Sequence, residues 1–579
     1  MYMDFLVKIP SDSSGITRKT IKGITYIYYS YGRNYDAGKK YTVPKNTSIG
    51  KCPDKDSDMM YPNANYLKYF PSAELPVERK PAYRSGCLRI GTFLIIRKII
   101  SETRLGELLG NLMGKDRGLF LDLAAYTIIA ENNAGQYYPD YAFNHPLLTY
   151  GMKVYSDSKV SDFINGITRD QSIAFQNGWN DKRDHRQKIY ISYDSTNKNC
   201  QAGDIDLVEI GHPKDDQGKP ILNYSIAYDR DNAEPLFYEA YPGSIVDVSQ
   251  LQLMLEKAQG YGYRQIGFIL DRGYFSKENI RYMDKCGFEF IIMMKGMKSL
   301  VSELVLSVKG SFEEKREYSI RDYKVSGITV QHQLYPSDKK ERYFHIFFND
   351  RKQSAEREVL ESRIDRMAAF LHEHEGTQMS QLDGFSKYFD LIYYHPGQPD
   401  EKFMGGRERY DVINKEISLC GYFVIITSEK MSAEQALDLY KGRDASEKLF
   451  RGDKSYLGNR SLRVSSNESI HAKIFIEFVA LIIRNRIYTM LKKQMQLSRN
   501  RQNYMTVPAA IRELEKIEIV RQSDGNYRLD YALTAAQKEI LKAFGYNEAN
   551  VREQAAGINE DLMRLMKETS DGKKADIYR

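Results

Sequence analysis

Two periods of apolar spacing divide the chain. From Leu88 to Asn132 apolar residues recur every three or four positions, in LRIGTFLIIRKIISE, TRLGELLGNLMG and GLFLDLAAYTIIAEN. That spacing predicts three helices, and SDSKVSDFINGI and TRDQSIAFQNGWNDKR predict two shorter ones. At Gln187 the period changes to two. QKIYISYD predicts a strand ending in Asp194, and ILNYSIAYDRDNAEPLFYEAYPG predicts two strands about the polar turn DRDNAE. RQIGFILD predicts a short buried strand ending in Asp271, and FEFIIMMK a further strand. DVSQLQLMLEKAQGYG and KENIRYMDKC between them predict helices, the second with Ser276 as its N-cap and Gly287 as its stop. Strand–helix–strand returns make parallel neighbours, so this order predicts a mixed sheet flanked by helices.

That order is the element order of a ribonuclease H-like core. The fold expected is therefore α/β: a ribonuclease H-like mixed sheet interrupted by a β-rich inserted subdomain, with an N-terminal helical region and a C-terminal mixed region. Residues 1–80 form a small β-rich region and linker, with a hairpin in ITYIYYSYGRNYDAGKKYTVP and a Pro-rich linker in PNANYLKYFPSAELPVERKP. Residues 81–186 form a helical segment, either a helix-turn-helix DNA reader or a plain packing domain. The first part of the core spans 187–295. The stretch 296–418 is too long for a loop and is expected to be the insertion: REYSI, GITVQHQLY and RYFHIFF as strands, SAEREVLESRIDRMAAFLHEHE as a charged helix, and YYHPGQPDEKFMGGRER as a polar close. The core resumes over 419–495 with the strand GYFVIITS and a helix begun by the capping box Ser432–Gln435. That helix is expected to continue through RDASEKLFRGDKS. AKIFIEFVALIIRNRIYTM, from Ala472, is a buried core helix, and residues 496–579 close the chain.

The chain's 579 residues are too many for a single core, and its 42% hydrophobic and 28% charged content is that of an ordinary globular protein. A net charge of +7 permits a nucleic-acid partner without requiring one. Cys52, Cys87, Cys200, Cys286 and Cys420 are odd in number and far apart, which argues against a disulfide framework or zinc site and for a reducing cytoplasm. The N-terminus lacks a signal-peptide layout, and no window approaches a membrane span. The histidines form no HExxH, and GYGYRQIG lacks the preceding strand and GK[ST] ending of a phosphate-binding loop.

The candidate chemistry lies in three places. Asp194 and Asp271 each close a strand-like run, and such residues alone are usually turn formers. Glu447 lies in YKGRDASEKLFRGDK, four residues after Arg443, where a surface ion pair worth about 0.3–0.5 kcal/mol is the plain reading. Taken together, three carboxylates from separate elements can hold two Mg²⁺ ions about 3.5–4 Å apart, the arrangement that activates an attacking oxygen and stabilises a leaving one. Read as one helix, 440–454 places Tyr440, Arg443, Glu447 and Lys454 on a single stripe. Lys441, Arg443, Lys448, Arg451, Lys454, Arg460 and Arg463 outnumber Asp444, Glu447 and Asp453 there, a basic surround suited to DNA phosphates.

Tyr440, Arg443, Glu447 and Lys454 have the spacing of the YREK motif, and the chain resembles bacterial insertion-sequence transposases of the DDE class over roughly 187–490. YDSTN resembles the family's first-aspartate motif and DRGYFS its second, and an insertion before the glutamate helix is a family trait. The hairpin and helical regions ahead of the core are similar in layout to DNA-binding parts of such enzymes. The resemblance implies a metal-binding triad of Asp194, Asp271 and Glu447, with Tyr440, Arg443 and Lys454, joined by Lys448 and Arg451, on DNA. It also implies two Mg²⁺ ions per site, for which Mn²⁺ substitutes, and a homodimer on paired double-stranded transposon ends and target DNA. Cleavage of each end is followed by attack of the freed 3′ hydroxyl on target DNA, in some members through a hairpin. A transposase-derived DNA-binding protein without catalysis, and a structure-specific nuclease on the same core, are the alternatives. Such a protein works in the bacterial cytoplasm, at the nucleoid when bound to DNA.

Overall fold

The computed structural model describes residues 2–3, 5–11, 14–73, 75, 84–202, 204–211, 218–245, 247–378, 382, 384–444, 448–449, 452, 454, 457, 461–464, 466–498 and 502–570. Two compact units divide the chain, Met1–Tyr83 and Arg84–Arg579. In the first, strands β1 (Val7–Lys8), β2 (Ile16–Ile21), β3 (Ile24–Asp36), β4 (Tyr41–Lys51) and β5 (Met59–Pro62) form an antiparallel sheet in the order β1-β5-β4-β3-β2. Helix α1 (Ala64–Tyr69) follows. It occupies sequence expected to be linker, because Asn63 accepts the N–H groups of Asn65 and Tyr66 as an N-cap and Tyr66 enters the core with Ile27, Ile49 and Met60.

The second unit opens with strand β6 (Cys87–Arg89) and helices α2 (Gly91–Glu102), α3 (Leu105–Met113), α4 (Arg117–Ala130), α5 (Tyr138–Asn144), α6 (Asp157–Gly166) and α7 (Arg169–Asp181). Next come β7 (Ile189–Asn199), β8 (Ile221–Asp229), β9 (Glu234–Pro242), α8 (Asp247–Gly260), β10 (Ile266–Leu270), α9 (Lys277–Cys286) and β11 (Glu289–Met293). Ser276 and Gly287 cap α9 as expected, Gly287 at φ +70°. A long excursion carries α10 (Lys298–Val308), β12 (Ser319–Ile320), β13 (Val325–Gln333), β14 (Glu341–Phe348), α11 (Asp350–Glu373), β15 (Phe389–Tyr394), β16 (Lys402–Glu408) and α12 (Tyr410–Leu419). The chain returns through β17 (Tyr422–Thr427) and α13 (Ala433–Lys441), then α14 (Asn467–Ser498), α15 (Val507–Leu514), β18 (Glu518–Arg521), β19 (Tyr527–Leu529), α16 (Ala535–Ala543) and α17 (Glu548–Ser570).

Nine strands form the central sheet, in the order β12-β13-β14-β17-β11-β10-β7-β8-β9. β7, β10 and β11 run parallel and the remaining neighbours antiparallel, so the sheet is mixed as the element order predicts. The excursion starts as an extension of this sheet, because β14 pairs with β17 from Tyr343 to Phe348. Its distal part, α11 with the β15–β16 hairpin and α12, closes a separate small core around Ile364, Leu371, Phe389 and Phe403. The stretch expected to be a polar close is therefore largely that hairpin.

Helix α14 is the buried core helix foreseen. Phe475, Phe478 and Leu481 pack with Phe120 of α4, Phe175 of α7 and Tyr224 of β8, so α2–α7 and the C-terminal helices share one core. β6 pairs with β18, tying the start of this unit to its end. Among the described residues no helix is long and apolar enough to cross a membrane.

Candidate active site

The first aspartate does not end its strand. β7 continues past Asp194 to Asn199, paired with β8 along Ile191–Asn199. What stops is the neighbour on the other side: the β7–β10 ladder closes with Leu270 opposite Tyr193. The next residue on each of these parallel chains is an aspartate, Asp271 and Asp194. Asp271 keeps extended dihedrals (φ −69°, ψ 156°) before a short 3-10 turn, so side-chain alternation runs through it. It thus shares a face with Ile269, which packs against Ala433, Leu437 and Tyr440 of α13.

Asp194 belongs to the same face. Its cross-strand partner is Ile226, and Tyr224 and Leu222 lie opposite Thr196 and Lys198. Those β8 residues pack under α14. The two carboxylates therefore leave adjacent strands on the side covered by α13 and α14. Asp194 is partly buried and accepts the Ser195 N–H at 2.8 Å.

Arg443 reaches this edge. Its guanidinium Nη1 lies 3.0 Å from Asp271 Oδ1, with the arginine side chain 16% and the aspartate 35% exposed. The helix that delivers it is shorter than expected. α13 ends at Lys441 and Gly442 caps it, the Gly442 N–H reaching Asp438 and Leu439 carbonyls and the Arg443 N–H bonding Tyr440 at 3.2 Å. Tyr440 to Lys454 is thus not one unbroken helix. Glycine weakens the helix at this point, and a Cβ on Gly442 would meet Arg230 at 2.8 Å. Arg230 also pairs with Asp438, which accepts the Tyr323 hydroxyl at 2.8 Å, so the end of α13 is fastened to the sheet.

Tyr440, which the resemblance implies on DNA, is only 5% exposed and packs with Ile269, Ile291 and Ile425. Its ring lies 5.5 Å beneath the Arg443 guanidinium. Lys448 is exposed and Lys454 half-buried. Glu447 and Arg451 lie outside the described residues. Among the described residues no group of three or more His, Cys, Asp or Glu side chains is gathered to hold a metal ion. The two aspartates contribute oxygen donors only, a set that fits a hard divalent cation.

Two supports were not foreseen. On one face of β7, Tyr274 donates its hydroxyl to Ser195 Oγ at 3.0 Å and packs its ring against Tyr193 at 5.1 Å, bracing the residues that flank Asp194. On the other, Lys198 is fully buried and bonds Glu477 of α14 at 3.0 Å, with its ammonium 4.8 Å over the Tyr224 ring. One helical turn before Glu477, burial pushes the Lys473 ammonium down to about 8, and that group donates to the Asn133 carbonyl at 2.8 Å. The only sequence signal for the buried pair was a lysine four residues after Asp194 on a strand, which places both on one face.

The chain belongs to the family described as the transposase DDE domain, which its sequence matches over residues 194–483, half of its length. The matched stretch opens on Asp194 and closes within α14. A search of curated proteins finds no match. Among solved structures, a piggyBac transposase synaptic complex with hairpin DNA is similar at 8% identity and TM-score 0.31, covering 80% of this chain and 76% of that one. A Mos1 transposase paired-end complex with the left transposon end is similar at 10% identity and TM-score 0.14, covering 39% of this chain and 65% of that one.

Proposed function

We propose that this transposase cuts the DNA strands at the terminal inverted repeats of an insertion sequence and joins the freed 3′ ends to target DNA, working as a dimer on paired ends. The observation that carries the reading is the adjacent exit of Asp194 and Asp271 from parallel strands, with Arg443 bonded to Asp271. The order and sense of β9-β8-β7-β10-β11, with three antiparallel strands followed by two parallel ones, supports a ribonuclease H-like core. Asp194, Asp271 and Glu447 are assigned as the carboxylates that hold two Mg²⁺ ions, with Mn²⁺ as a substitute. When bound, the ions supply charge neutralisation at the scissile phosphate and activation of the attacking oxygen.

The chain's own groups do the rest. Asp194 and Asp271 place two negative charges side by side, and these repel one another unless cations stand close. Arg443 offsets part of that repulsion and fixes the Asp271 carboxylate. Tyr440 positions Arg443 by packing under it. Lys448, Arg451 and Lys454 are assigned to DNA phosphates beside the carboxylates.

The test uses a plasmid carrying the DNA that flanks the reading frame. Asp194→Ala, Asp271→Ala and Glu447→Ala are each expected to abolish nicking and joining while end binding persists. Cleavage retained in all three variants would overturn the reading, and nicking without joining in the wild type would assign a structure-specific nuclease instead.

A further inference from the structure

The N-terminal unit carries a surface that the carboxylate site does not use. β2 pairs with β3 only as far as Tyr29, whereas β4 continues beside β3 through Gly32–Lys45, Arg33–Pro44, Asn34–Val43, Tyr35–Thr42 and Asp36–Tyr41. Beyond the five-stranded sheet the chain is therefore a two-stranded antiparallel ribbon. At about 3.4 Å per residue its five cross-strand pairs reach roughly 17 Å. Its base is anchored, because Tyr31 stacks on Tyr69 of α1 at 5.3 Å and Tyr29 packs edge-on against Phe70 at 5.0 Å.

The ribbon has no core of its own to explain its residues. Tyr35 is 69% exposed and Tyr41 58%. Beyond the register shift at Ser30–Gly32, alternation puts Arg33 and Tyr35 on one face. Arg33, Lys39, Lys40 and Lys45 face a single carboxylate in this segment, Asp36. Asp36 is engaged by the turn, accepting the N–H groups of Gly38 and Lys39 at 3.0 and 3.2 Å, with the Lys39 ammonium 3.9 Å away. A slender, cationic, tyrosine-bearing ribbon suits one partner above others. The major groove of B-form DNA is about 12 Å wide and 8.5 Å deep, and it admits a two-stranded ribbon whose strands lie about 4.8 Å apart.

We propose that the β3–β4 ribbon enters the major groove of duplex DNA, with Arg33, Lys40 and Lys45 on the flanking phosphates and Tyr35 and Tyr41 against the base edges and groove walls. The inference rests on the reading of the chain as a DNA-processing enzyme. It places groove contact in the N-terminal unit, outside the carboxylate site.

The test measures binding of the full-length chain to a fluorescent 30-base-pair duplex of arbitrary sequence by anisotropy across a series of KCl concentrations. In the variant Arg33→Ala/Lys40→Ala/Lys45→Ala, the slope of log affinity against log salt should fall by about 0.9 for each lost phosphate contact, roughly 2.7 for all three. Affinity near 100 mM salt should fall on the order of a hundredfold. A control of equal charge change at exposed sites outside the ribbon, Lys8→Ala/Lys55→Ala/Lys542→Ala, should keep a slope close to wild type. A ribbon variant with the wild-type slope that still nicks DNA overturns the ribbon and leaves the catalytic reading intact. A wild-type chain that holds no duplex at all overturns both.

Discussion

Asp194 and Lys198 lie four positions apart on β7, on the same face of one strand, and their charges meet opposite surroundings. Lys198 is sealed beneath α14, at 3.0 Å from a glutamate that is itself 2% exposed. Asp194 stands partly exposed beside a second aspartate, where the neighbouring strand has ended and only Arg443 of the described residues is paired to that second carboxylate. A buried charge has to be matched completely by a fixed partner, since the desolvation penalty is large and no ion or water can come to its aid. The two carboxylates at the strand end instead keep partial contact with solvent, one of them held by Arg443. One strand thus holds a lock and a working edge, and the lock keeps the edge in place.

The largest effect should come from opening the lock. Lys198→Met removes the ammonium bonded to the buried Glu477 carboxylate and should cost about 3–5 kcal/mol, read as a lower urea midpoint. Adding Glu477→Met should restore most of that loss. An unshifted midpoint in the single variant would mean that the pair does not hold β7 to α14. At the working edge, Arg443→Gln should barely move the midpoint, yet slow strand nicking by about ten- to a hundredfold through misplacement of Asp271. Equal losses in stability and rate would erase the distinction between lock and edge. The smallest effect belongs to the brace on the opposite face. Tyr274→Phe removes one hydrogen bond to Ser195 and should cost about 1 kcal/mol in the urea midpoint, with nicking close to wild type.

Much of this was legible from spacing. The strands and helices from Gln187 to Met293 and the caps at Ser276, Gly287 and Ser432 follow local rules, and the structure reproduces them. The end of β7 was not legible. Ser195–Asn199 is wholly polar and hydropathy stops the strand at Asp194, yet all five residues are buried. They are tolerated there because partners wait: Asn197 bonds Asn223 at 2.7 Å and Lys198 meets Glu477. Those partners lie far along the chain, where no local window can see them. The same limit hid the membership of β12–β14 in the central sheet, since strand pairing across the excursion leaves no mark on either partner. Helix α5, with Pro139 in its first turn, lacks a clear apolar period and was missed. Gly442 did carry a signal for the helix break beyond Tyr440, whereas the burial of Tyr440 itself depends on which side of α13 meets the sheet.

The excursion between β11 and β17 has a consequence for how such a chain can change over generations. Its two ends are zipped to each other, Ile291 to Thr427 and Met293 to Ile425, so the detour begins and finishes at one fixed doorway. The entropy of closing a loop grows only with the logarithm of its length, about 0.6 kcal/mol for each doubling. Segments grafted at the exposed tip between β15 and β16 can therefore lengthen the detour many times over while the doorway stays shut. The protein can try out new appendages there, lineage by lineage, without re-solving its central chemistry.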